Sequence, residues 1–142
     1  MAAKIVLIAD AVVAHLAGQD FLGGYVIDRA YEAPATPGQI ENGRVTVAPV
    51  TRHLTITDRA GRYFTDYGVD VAIHKSLTGP NATAGIDLMI DVVEQTADAL
   101  KGGVFEGCNV VAIDQEDLQS LIMLSGAAVF QSVMRLMLKE LR

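Results

Sequence analysis

Residues 66–75 read DYGVDVAIHK, and they alternate almost without fault. Tyr67, Val69, Val71 and Ile73 fall on one side of an extended chain. Asp66, Gly68, Asp70, Ala72 and His74 fall on the other. A period of two is the signature of a strand with one buried face. The apolar side predicts sheet core over Val69, Val71 and Ile73. The polar side carries Asp and His, so it admits three uses: solvent, a catalytic surface, or a face that meets another protein.

The segments around this strand fit a sheet. Arg44–Val50 (RVTVAPV) is rich in β-branched residues, and Pro49 marks a strand end or a sheet edge because it cannot donate to a ladder. Between the two runs, TRHLTITDRAGRYF (51–64) turns at Asp58–Gly61, with His53 exposed on a strand. Tyr25–Tyr31 is a further candidate strand, and Val110–Ile113 a short one. Residues 33–43 and 77–85 hold Pro and Gly at several positions and read as loops.

Two segments have helical periodicity. In residues 4–17, Ile5, Ile8, Val12 and Leu16 recur at three- and four-residue spacing, and Gly18 stops the run. In residues 85–101, Ile86, Met89, Ile90, Val93, Ala97 and Leu100 make one face, with Asp87, Asp91, Glu94 and Asp98 largely opposite. Gly102 and Gly103 follow as a stop. Residues 114–126 are ambiguous, with a polar start able to cap a helical turn. The final stretch fits two periods. Phe130, Ser132, Met134, Leu136 and Leu138 alternate as in a strand, whereas Phe130, Met134, Leu138 and Leu141 fit a helix. The expected fold class is therefore α+β: a mostly antiparallel β-sheet packed with an N-terminal helix and a central long helix.

Composition narrows the function. The chain has 142 residues, 51% hydrophobic and 20% charged, an ordinary globular balance that fits a single domain over 1–142. Its net charge of −6 argues against a grip on nucleic acid, which needs clustered Lys and Arg. The one cysteine, Cys108, reads as a small buried hydrophobe. The apolar run Ile5–Ala9 is broken by Asp10, which speaks against a signal peptide or membrane span there. His15 reads as a cation near a helix C-terminus. No phosphate loop, HExxH, GxSxG or EF-hand pattern occurs. The three histidines are dispersed, so no metal, cofactor or catalytic residue is expected. A His–Asp base formed by His53 or His74 with Asp66 or Asp70 would need the fold to bring them together.

The order of these segments resembles the tail terminator and minor tail (neck) proteins of long-tailed bacteriophages. The residues carrying the likeness are Val45–Pro49, Arg59, Asp66–Ile73, Ile90–Leu100 and Phe130–Val133. The resemblance tips the C-terminal stretch toward strand. It implies a structural virion protein and no enzyme. Such a protein forms a homo-oligomeric ring, usually a hexamer, at the head-proximal end of the tail. The ring caps the tail tube and joins it to the head–tail connector or stopper. Its place would be the virion, assembled in the host cytoplasm, with DNA passing through the lumen without specific binding and no membrane involved. Another head–tail joining role (stopper or tube-like subunit) stays open, as does a small α+β enzyme or ligand-binding domain. The expected interface residues are Arg52, Arg59, Arg62, Tyr63 and Phe64 on the turn, with Asp66, Asp70 and His74 on the polar face of the strand.

Overall fold

A computed structural model of the chain describes residues 3–31, 43–56, 60–61, 63–77, 82–115, 120–124 and 127–140. Helix α1 (Lys4–Ala17) buries Ile8, Ala9, Val12 and Leu16, the stripe expected from its spacing. A short 3₁₀ turn at Asp20–Leu22 leads to strand β1 (Val26–Arg29). Strands β2 (Arg44–Ile56) and β3 (Tyr63–Ser76) form a long antiparallel pair. Helix α2 (Ala82–Leu100) follows, then β4 (Val104–Phe105), β5 (Cys108–Asp114), β6 (Ser120–Leu124) and β7 (Ala127–Glu140).

The fold is α+β, with strand order β1-β2-β3-β7-β5-β4 and β6 paired to β7 beside that path. Every pairing is antiparallel except β1 with β2, which makes the sheet mixed. Val45 and Val47 of β2, Val69, Val71 and Ile73 of β3, and Met134, Leu136 and Leu138 of β7 are fully buried on one face. They join α1 and the α2 residues Met89, Val93 and Leu100 in one core. Each such aliphatic side chain contributes roughly 1.5–3 kcal/mol when taken from water. His15 Nε2 lies 2.9 Å from the Ala99 carbonyl oxygen, so this residue ties α1 to α2.

Several expectations are refined. The C-terminal stretch is a strand, and it is the centre of the sheet: β3 flanks one edge, β5 and β6 share the other. Met, Leu, Lys and Glu favour a helix there by propensity, but two flanking ladders and a buried face at period two outweigh tenths of a kcal/mol per residue. Within 114–126, Ser120–Leu124 forms β6, while most of the polar start expected to cap a helical turn lies outside the described residues. The central helix begins at Ala82, inside the stretch expected to be a loop, and ends where Gly102 takes a positive φ of 70°. The expected loop over 33–43 lies almost wholly outside the described residues, as does half of the Asp58–Gly61 turn. Strand β4 had no alternation long enough to announce it.

Candidate assembly surface

The β2–β3 pair outruns its neighbours. Lys139 of β7 reaches Asp66, so Leu54–Ile56 and Tyr63–Thr65 pair only with each other among the described residues. They form an arm projecting beyond the sheet. Its two faces differ because the β2–β3 register slips between Pro49 and Thr51. Before the slip, Val45 and Val47 oppose Ile73 and Val71 on the core face. After it, Arg52, Leu54 and Ile56 oppose Tyr67, Thr65 and Tyr63 on that same face. One bulged residue, Val50, thus keeps the apolar side of β2 turned one way.

Beyond Thr65, which is buried, that face of the arm is open among the described residues. Leu54 is 44% exposed and Ile56 69%, and Tyr63 is exposed as well. The other face presents Thr51, His53 and Thr55 opposite Gly68, Asp66 and Phe64. The Lys139 ammonium sits 4.4 Å from the Phe64 ring centroid. A Cβ at Gly68 would meet Thr51 Oγ1 beside the bulge, so a larger residue there would force the Thr51 side chain to turn.

The expected interface residues therefore divide into three groups. Arg52, Tyr63 and Phe64 are exposed on the arm. Arg59 and Arg62 lie outside the described residues. Asp66, Asp70 and His74 share the sheet face turned away from the helices, as alternation requires, but they are not equally available. Asp66 is half-buried. Asp70 accepts two hydrogen bonds from Arg135, Nε–H at 2.7 Å and Nη2–H at 3.1 Å, across the β3–β7 pair. His74 is 3% exposed, so a partner could not touch it without rearrangement. It stands in a row running Arg44, His74, Gln131 and Ser120 across four strands. Among the described residues neither ring nitrogen has a partner in good hydrogen-bond geometry, and burial holds the pKa below the ordinary histidine value, although the Gln131 side chain stands close enough to oppose the shift.

The catalytic alternative gains little from this geometry. His53 and Asp66 do stand opposite each other in the β2–β3 register. Both belong to the arm's root, where His53 is exposed and Asp66 half-buried, so neither is shielded from water as a paired base would need. His74 lies at the far end of the same pair, opposite Arg44. Burial pushes the Cys108 thiol up, away from the thiolate a nucleophile needs. Among the described residues no three His, Cys, Asp or Glu side chains gather as a metal site would require. No helix among them is long and apolar enough to cross a membrane.

Sequence reasoning named Arg52, Tyr63 and Phe64 but missed Leu54 and Ile56. The signal was present in RVTVAPVTRHLTI. Val45 and Val47 are odd-numbered, whereas Leu54 and Ile56 are even-numbered, so one strand can face both pairs alike only if one residue is bulged out between them.

No protein-family model matches the chain, and no curated protein matches it by sequence. Among solved structures, it is similar to a chain in the virion of a native gene transfer agent particle, with a TM-score of 0.51. The match spans 97% of this chain and 99% of the other, at 13% identity. At that identity, the likeness establishes a shared fold from end to end.

Proposed function

We propose that this chain is a structural component of a phage-like virion and acts as its tail terminator. In this reading copies of the chain form a ring, with six as the expected number, at the head-proximal end of the tail. The ring caps the tube and bridges it to the connector or stopper. The observation that carries the proposal is the fold shared over nearly the full length of both chains with a virion protein. The uncovered apolar face of the arm supports it, because a ring subunit needs a patch that only a partner completes.

The charge fits the same role. Six copies at −6 each would carry a formal charge of about −36 before counterions. An acidic lumen repels phosphate and lets DNA slide through.

Two measurements test this reading. Light scattering on the purified chain should give a closed oligomer of one stoichiometry. Added to polymerising tail-tube subunits of the same particle, it should stop tube growth. A chain that stays monomeric at every concentration and leaves tube length unchanged would refute the terminator role. Incorporation along the whole tube would instead favour a tube-like subunit.

A further inference from the structure

Two edges of the sheet are unfinished at the same level. β1 covers β2 only along Arg44–Val47, so Ala48–Ile56 has β3 on one side and no described strand on the other. β4 pairs with β5 only at Cys108 and Asn109, so among the described residues Val111–Asp114 has only β7 beside it. The register places these open edges opposite one another across the sheet. One row runs Ala48, Asp70, Arg135, Asp114, and another runs Arg52, Tyr67, Leu138, Val110.

The β5 edge has a groove beside it. Ala97 and Gly102 at the end of α2 face Val110, Val111 and Ile113 across it, and Asp98 stands in its wall. Val111 is 55% exposed. The groove therefore lies between the sheet and a helix, on the core side. The arm carries its bare Leu54 and Ile56 on that same side of the sheet.

We infer that the arm of one copy docks along the β5 edge of a second copy, with Leu54 and Ile56 entering the groove beside α2. This rests on the ring reading and names the receiving surface. Continuing the sheet from the second copy's β5 into the first copy's β2 keeps both sets of helices on one side. It also turns Leu54 and Ile56 toward the helix that lines the groove. Charge favours the same pairing. Residues 51–64 contain Arg52, Arg59 and Arg62 against Asp58. The receiving helix exposes Asp91, Glu94 and Asp98, with Lys101 the counter-charge at its end. Arg52 makes no ion pair among the described residues and shares a face with Leu54, which places it to meet Asp98. Bulges at Val50 and Val111 interrupt both open edges, so apolar side chains, and not an uninterrupted backbone ladder, select the partner. A contact between two different patches repeats head to tail and closes when the rotation divides the circle.

Cysteine cross-linking tests the inference. On a Cys108→Ala background, Thr55→Cys and Ala112→Cys, which share the sheet face turned away from the helices, are combined, treated with a short bis-maleimide and run on a denaturing gel. The linker tolerates a register error of a residue or two, at about 3.3 Å each. A ladder of covalent oligomers is expected from the double variant and none from either single one. Arg52→Asp should lower the yield several-fold, and adding Asp98→Arg should restore it. Rings seen by light scattering without a ladder would overturn this docking site while leaving the ring itself standing. A monomer at every concentration would overturn both.

Discussion

Individual residues divide this sheet into a face that must stay dry and one that tolerates polarity. Val71 is fully buried between β2 and β7, opposite Val47 and Met134. Val71→Asp places a charge there with no partner and should cost about 4 kcal/mol or more, enough to unfold a domain of ordinary stability. Circular dichroism of the purified variant would show it, and unchanged thermal stability would mean that the facing is wrong. His74 makes a subtler case. Its folded pKa is depressed by burial, an effect that the Gln131 side chain partly opposes. The unfolded chain therefore binds a proton that the native chain resists. Stability contributed by neutral His74 is fully present above the ordinary histidine pKa of about 6.5. It is lost as pH falls from there toward the lower folded value. Thermal melts between pH 7.5 and 5 should show the wild type losing stability, and His74→Leu should flatten that slope. An equal slope in both would assign the dependence to other groups.

At the scale of elements, periodicity was a good guide wherever one partner surface set the pattern. The stripe of α1 and the alternation of Tyr67–Ile73 each report a single dry face, and each was legible. The last strand was not, because its residues favour a helix locally and the ladders that overrule them come from distant segments. Of the candidate site, the arginines and aromatics of the turn could be named, but its apolar face could not, since a bulge reverses the parity that reading relies upon. Nor could sequence reveal that His74, polar and correctly faced, would be buried. The arm itself invites a test. Leu54→Asp with Ile56→Asp changes side chains that are already exposed, so thermal stability should move by no more than about 0.5 kcal/mol. Association should fall by at least about tenfold, equivalent to 1.4 kcal/mol, when read by analytical ultracentrifugation. A large drop in melting temperature would show that the arm packs on its own chain.

For the whole molecule, the unlike edges of the sheet matter more than its interior. A subunit with one projecting arm and one open groove is not self-complementary, which disfavours a two-fold dimer and favours cyclic growth. Exposed charge contributes to such contacts mainly through steering, and it is screened within about 8–10 Å at ordinary ionic strength. Raising salt should therefore slow assembly of the ring while leaving its dissociation nearly unchanged, a split that stopped-flow light scattering resolves. Equal effects on both rates would mean that ion pairs hold the contact closed. The position of β7 has a consequence in time. Its ladder partners β3, β5 and β6 all precede it in the chain, and β3 lies more than fifty residues back. While a ribosome is still making this protein, the emerged part has helices and a hairpin but an open slot where the centre of its sheet belongs. The native sheet therefore waits until β7 has emerged, and the nascent chain exposes unpaired strands until then.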